Sequence, residues 1–340
     1  MPVVVFRGIE GWCDRLQVLA HCIGYCLKFN TALCVDWDDM VWGAGEFDFN
    51  SCFELVGIRT MTKTQVLKLV ASGRMDVRPS CWDLRKMAVH IHGETHGDAY
   101  IGEFMKFEIE KVEGDVLVTN GRGERQWDVR LLCEHLRFKP AVVEGIKKRL
   151  ADFDPNSVVI HLRGTDRPDK GDYTEKAVEA VKATGIPHSQ VYVVTDQRDL
   201  WERFHAGIPE ARLTNPESNI LRIAPTNANG THQIHPAVLK SLGVTKWDMM
   251  LDLMADWVAL VSAQTAIGRS ESTYFSMARS IHAAKWSKLM VQETPQGEQG
   301  WFPPSKTSPT YNETLLLPCR EQTEIQRGTG LTVPDPQDVC

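Results

Sequence analysis

The chain has 340 residues, 43% of them hydrophobic and 24% charged, with a formal net charge of −6. Such a composition is that of a globular protein of about two domains. The acidic balance argues against nucleic acid or an anionic membrane as the main partner, because both reward a basic face.

In chain order, "VVVF" (3–6) reads as a buried strand, and "RGIEGWCDRL" as a glycine-containing turn into a helix. From Leu16 apolar residues recur at spacings of three and four, through Leu19, Ala20, Ile23 and Leu27. "ALCVDW" (32–37) follows as a second buried strand, completing a βαβ unit with a parallel sheet. "TKTQVLKLVASG" (62–73) predicts a helix stopped by glycine, and the alternation in 106–124 predicts a β-hairpin inserted in the first domain. A helix is expected over 139–157 from Pro140, its Pro/Asn/Ser end marking the domain junction.

The second half repeats the rhythm. Strands are expected at 157–162, 190–196 and 263–268, and helices at 173–185, 197–207, 247–262 and 270–284. The alternation predicts a doubly wound sheet. The expected division is an N-terminal Rossmann-like domain over 1–150, a C-terminal one over 151–292 and an irregular tail over 293–340.

No positively charged segment precedes a long apolar run, and no apolar stretch of about 18 residues occurs, so neither a signal peptide nor a membrane span is expected. Nine cysteines stand at irregular spacing without a CxxC pair, which reads as reduced thiols in the cytoplasm. Cys22 and Cys26, four apart on one helix, fit the core better than a metal. "HIHGETH" (90–96) holds three histidines but no surrounding set of acid–base partners, and no metal site is assigned to it.

In an open α/β sheet, ligands bind beyond the carboxyl ends of the strands. Three polar clusters fall there: "HLRGTDR" after 157–162, Thr195–Asp196–Gln197 after the next strand, and "GRSESTY" (268–274) where a strand enters a helix. Ser270, Ser272 and Thr273 at a helix N-terminus suit an anion, and Arg163 can grip phosphate through two hydrogen bonds. A serine before a helix is more often an N-cap, an Arg and an Asp at a strand end more often a surface ion pair, and Asp196 could merely cap the next helix. The order of the clusters along the chain favours a diphosphate site.

That order resembles the fucosyltransferase superfamily that contains the α1,6-, α1,2- and protein O-fucosyltransferases. "HLRGTDR" is similar to its H-x-R-x-x-D motif, "GWCDRLQVLAHCIGYCLKFNTALCVDW" (11–37) to its glycine loop and first helix, and "VYVVTDQ" to its second motif. "DWVALVSAQTAIGRSESTYFSMAR" (256–279) is similar to its third. The resemblance implies a GT-B-like α/β architecture, two Rossmann-like doubly wound domains facing across a cleft, and inverting transfer from GDP-fucose to a glycan or glycoconjugate hydroxyl with no required metal. It implies that Arg163 holds the β-phosphate, His161 and Asp256 face the nucleoside, Ser272 and Thr273 complete the phosphate cradle, and Gly11 and Asp14 approach from the first domain. Asp196 falls in the second motif and is assigned to the donor site with them.

Three departures stand out. Asp14 replaces the common Asn. Gly164 stands where α1,6 members carry a second Arg. No Glu occupies the position from which those enzymes take the acceptor proton; Asp14, Asp169, Asp172 and Glu175 are the candidates, with Asp14 and Asp172 ranked first. Two alternatives stay open: transfer from another nucleotide sugar, and a catalytically silent GDP- or glycan-binding module.

Overall fold

The computed structural model describes residues 2–8, 11–37, 48–73, 75–78, 84–88, 114–119, 129–164, 173–223, 236–269, 272–283, 291–294 and 297–300. The first half contains β1 (Val3–Arg7), α1 (Trp12–Phe29), β2 (Ala32–Asp36), α2 (Phe49–Cys52), β3 (Phe53–Leu55), α3 (Lys63–Ala71) and β4 (Val77–Arg78). After these come α4 (Leu84–Ala88), β5 (Val116–Thr119), α5 (Val129–His135), β6 (Leu136–Phe138) and α6 (Pro140–Arg149). The second half contains β7 (Val158–Leu162), α7 (Thr174–Thr184), β8 (Val191–Thr195), α8 (Arg198–Gly207), β9 (Arg212–Leu213), α9 (Asn219–Ile223) and α10 (Pro236–Ser241). It continues with α11 (Lys246–Ser262), β10 (Thr265–Ile267), α12 (Thr273–Ala283), β11 (Val291–Thr294) and β12 (Gly297–Gly300).

Two parallel sheets carry the fold, one ordered β2-β1-β5-β4 and the other β10-β7-β8-β9. Because successive strand residues point to opposite faces, each sheet feeds two cores. Val4 and Phe6 join a central core, while Val3 and Val5 meet Val66 of α3 and Met87 of α4. In the second sheet Val159, Tyr192 and Val194 face the central core, while Val158, Ile160 and Val193 pack on Ala177 of α7 and Phe204 of α8. The layers therefore run α3/α4, first sheet, a shared layer of α1, α5, α6, α11 and α12, second sheet, α7/α8.

The helix ends follow from their residues. Thr62 and Gln65 form a capping box at the start of α3, Thr245 accepts from the Asp248 amide at the start of α11, and Gly185 closes α7 in the left-handed conformation. The shared layer is tied across the halves. Trp12 of α1 meets Trp37 and, in the second half, Trp257 of α11, each edge to face with ring centroids 6.1 Å apart. Arg149 of α6 donates to Asp252 of α11 at 2.5 Å.

Three expectations need correction. The segment 116–119 is not a hairpin arm: both edges of β5 are taken by parallel partners, β1 and β4, which makes it an interior strand; the other arm, 106–113, lies outside the described residues. The helix from Pro140 stops at Arg149, not near 157, with Leu150 as its C-cap. The tail opens with order rather than irregularity, as β11 and β12 pair antiparallel. Cys22 and Cys26 are buried on α1, as expected of core residues.

Replacing Trp12 by Ala should remove the aromatic contact that joins the halves and cost about 3–5 kcal/mol, the range for truncating a buried large aromatic. Urea unfolding checks this; a loss below about 1 kcal/mol would mean that the joint relaxes around the gap.

Candidate functional site

The order of each sheet reverses at one place. In the second sheet the chain runs β7 to β8 to β9 and then returns to place β10 on the other side of β7. The loops leaving β7 and β10 therefore part, opening the crevice where α/β sheets bind ligands. In the first sheet the equivalent place lies between β1 and β5, and the turn leaving β1 leads into α1.

His161 and Arg163 come from β7 and its exit. His161 shares the inward face with Val159 and is 5% exposed. Its ring lies against Tyr274 at 5.5 Å and Phe275 at 6.0 Å, both on α12. Burial and then the charge of Arg163 push its pKa down to about 3, so the imidazole is neutral. Its Nδ1 is buried without a hydrogen-bond partner among the described residues. Arg163 is half-buried just past the strand and lies within electrostatic reach of His161, Cys13 and Tyr274.

The next residue is crowded by two side chains. A Cβ on Gly164 would stand 2.9 Å from Cδ1 of Leu200 and against the side-chain amide of Gln197. Its amide donates to Oδ1 of Asp196 at 3.1 Å. The second arginine of the α1,6 pattern is thus absent from a place that the Gln197 and Leu200 side chains crowd.

At the start of α12, Ser272 is an N-cap: its Oγ accepts from the Phe275 amide at 3.4 Å. Thr273 is the first helical residue. The turn from β10 is tight, since a Cβ on Gly268 would meet the Phe275 ring at 2.6 Å. Ser270 lies outside the described residues. From the first half, Gly11 is the N-cap of α1 and its carbonyl accepts from the Arg15 amide at 3.0 Å. The closer approach in this turn is at Gly8, where a Cβ would lie 2.7 Å from the Arg15 guanidinium and 2.9 Å from Trp37.

Cys13 joins the two crevices. Its Sγ donates to the Tyr274 carbonyl of α12 at 3.9 Å. Burial and neighbouring Asp14 push the thiol pKa well up, opposed by Arg163. Asp14 and Arg163 are therefore both close enough to act on one thiol. Tyr274 also donates from its hydroxyl to the Leu253 carbonyl at 2.5 Å. Its phenol pKa is raised by burial, then by Asp256 and Cys13.

Asp256 sits inside α11, 5% exposed, with Oδ1 accepting from Thr214 Oγ1 at 2.6 Å. Burial raises its pKa to about 8, against the opposing Thr214 hydrogen bond and with a further push from Asp252. Thr214 Oγ1 also lies 3.3 Å from the Val193 carbonyl. One hydroxyl proton cannot serve both; a neutral carboxyl brings the second proton. One helical turn away, Asp252 accepts from Arg149, Asn215 and both nitrogens of Asn219.

The structure thus gathers Gly11, Asp14, His161, Arg163, Asp196, Asp256, Ser272 and Thr273 around Cys13, Tyr274 and the two crevices. Glu175 is exposed in the first turn of α7. Asp169, Asp172 and "HIHGETH" lie outside the described residues. Cys13, Thr214 and Tyr274 were not singled out in the sequence; Tyr274 stands inside "GRSESTY", but no spacing rule marks an aromatic that packs on a histidine more than 110 residues away. Among the described residues no group of three His, Cys, Asp or Glu could hold a metal ion, and no helix is long and apolar enough to cross a membrane.

The fold is α/β and GT-B-like. No family model and no curated protein matches the chain. Among solved structures, NodZ alpha-1,6-fucosyltransferase co-crystallized with GDP is similar, with a TM-score of 0.58 and 16% identity over 82% of this chain and 91% of that one. Fucosyltransferase NodZ from Bradyrhizobium gives 0.55 and 15% over 82% and 92%. POFUT1 in complex with GDP gives 0.46 and 13% over 83% and 96%. The chain shares its fold with NodZ.

The raised pKa of Asp256 fixes a pH dependence. Between about pH 4 and pH 8 the folded protein holds a proton that the unfolded chain has lost, so this group makes stability fall as pH rises, by up to about 1.4 kcal/mol per unit. Asp256→Asn should remove that slope. Urea unfolding of both proteins without nucleotide, at pH 5 and pH 8.5, reads it; an unchanged slope would show that Asp256 is ionised in the fold.

Proposed function

We propose that this chain is a glycosyltransferase that moves fucose from GDP-fucose to a glycan or glycoconjugate hydroxyl, with inversion and without a metal. The observation that carries the reading is the convergence of Arg163, the α12 N-terminus and the α1 N-terminus where both sheets reverse their order. Such a place suits a diphosphate: a guanidinium for charge-assisted hydrogen bonds and helix N-termini for anionic oxygens. The shared fold supports it, since NodZ has been crystallised with GDP and soaked with GDP-fucose.

The residues would divide the work. Arg163 and the first turn of α12, from Ser272 and Thr273, stabilise charge on the leaving diphosphate. Neutral His161 and neutral Asp256 suit a nucleoside, because both offer hydrogen bonds without a charge to repel the phosphates. The acceptor oxygen bonds to the sugar C1 as the C1–O bond to the diphosphate breaks, and the acceptor proton passes to a carboxylate. Asp14, the ranked candidate among the described residues, acts with Arg163 on one thiol, that of Cys13; the other, Asp172, is proposed from sequence alone.

Arg163→Ala should lower transfer by about 10²–10³, the loss seen when a donor to a developing oxyanion is removed, with the fold intact by circular dichroism. Arg163→Lys should not restore it fully, because lysine lacks the planar fork. Near-parental kinetics in folded Arg163→Ala would overturn the phosphate assignment, and GDP binding without turnover toward any acceptor would favour the silent module.

Transfer from GDP-fucose should also persist in excess EDTA. Complete loss on chelation, restored by Mn²⁺ or Mg²⁺, would replace the metal-free reaction with a metal-assisted one.

A further inference from the structure

We infer that Asp196 is a positioning residue, not a ligand of the donor: its carboxylate holds the Arg163–Gly164 turn, and through that turn sets where the guanidinium meets phosphate. The inference rests on the reading of Arg163 as the phosphate-binding residue.

The argument starts from register. Leu162 of β7 pairs with Thr195 of β8, so Arg163–Gly164 and Asp196 leave the sheet side by side. A chain leaving a sheet loses its ladder partners, and a free amide there lets the turn take several shapes. Here Asp196 Oδ1 takes the Gly164 amide at 3.1 Å and extends the ladder by one side-chain bond. Asp196 is itself fixed from behind, since the Gln197 amide donates to Thr195 Oγ1 at 3.2 Å and Gln197 N-caps α8. From the other side the ends of the Gln197 and Leu200 side chains close on the Cα of Gly164, so that a Cβ there would have to push them aside. The turn is thus held by a charge-assisted hydrogen bond on its amide and by packing on its Cα. Arg163 is the residue between this clamp and the strand, so its backbone has little freedom left. Arg163 and Asp196 both act electrostatically on Tyr274, with opposite sign, which places their charges around one ring.

A ligand role and a positioning role differ in what they predict. If Asp196 contacted the nucleoside, its loss would weaken guanosine and GDP alike. If it positions Arg163, its loss weakens only what Arg163 binds. The test is titration calorimetry of the full chain with GDP and with guanosine, for the parent, Asp196→Ala, Asp196→Asn, Arg163→Ala and the double variant Asp196→Ala/Arg163→Ala. Asp196→Ala should weaken GDP by about tenfold or more, the worth of one hydrogen bond to a charged group, and leave guanosine unchanged. Asp196→Asn, which keeps an acceptor oxygen for the Gly164 amide, should recover most of the GDP affinity. In the Arg163→Ala background, Asp196→Ala should cost nothing further, because the two residues act as one unit.

Gly164→Ala supplies a second route to the same turn, by crowding instead of by loss of the bond, and should also weaken GDP and spare guanosine. Additive losses in the double variant, or loss of guanosine affinity in Asp196→Ala, would overturn the positioning role. Unchanged GDP affinity in Arg163→Ala would instead overturn the phosphate reading beneath it.

Discussion

One junction organises this molecule: the N-terminal turn of α1 lying on the N-terminal turn of α12. Each helix starts where its sheet reverses order, so each presents its N-terminal turn at a crevice. The thiol of Cys13 on the Tyr274 carbonyl and the edge of Trp12 on Trp257 join those crevices into one place. Without that contact, Asp14 and Arg163 would belong to separate sites. His161 takes part of its burial from α12, where its ring lies against Tyr274 and Phe275.

Burial acts differently on neighbouring groups. Asp252 and Asp256 are four apart on α11 and equally hidden, yet they meet different surroundings. Among the described residues Asp252 receives a guanidinium and three amide donors, while Asp256 receives a single hydroxyl. An ionised carboxylate needs several donors to replace water; one hydroxyl is too few. The helix therefore carries one carboxyl with four donors toward α6 and, one turn on, a protonated one on Thr214. His161 follows the same logic, since two aromatic rings and no hydrogen-bond partner at Nδ1 cannot support an imidazolium.

Much of the fold was legible because the strands at the centre of its sheets are short, wholly buried runs and several of its helices have ordinary stop signals. β1, β2, β7 and β8 fall where apolar runs predict, and Gly185 ends α7 as a glycine should. β5 was misread for a physical reason: "VLVT" is four residues long, and alternation cannot tell an interior parallel strand from a hairpin arm when its partners come from 3–6 and 77–78. The proposed site was legible where its residues stand just past strand ends, as Arg163 does after β7 and Asp196 after β8. It was not legible where a role comes from what packs overhead. Nothing local to Thr214 says that it will meet a carboxyl 42 positions later, and nothing local to Gly8 says that Arg15 will fold back over it.

The central core does not stop at the boundary expected near residue 150. Val4 and Leu16 belong to the same continuous cluster as Trp257 and Phe275. Modular exchange, in which one half of a two-sheet protein is replaced while the other is kept, assumes that the two halves can be cut apart. In this chain the cut would pass through hydrocarbon. A transplanted first half would have to bring surfaces of α1, α5 and α6 that fit α11 and α12 of the recipient, so the two halves are constrained to vary together, as the faces of one interior.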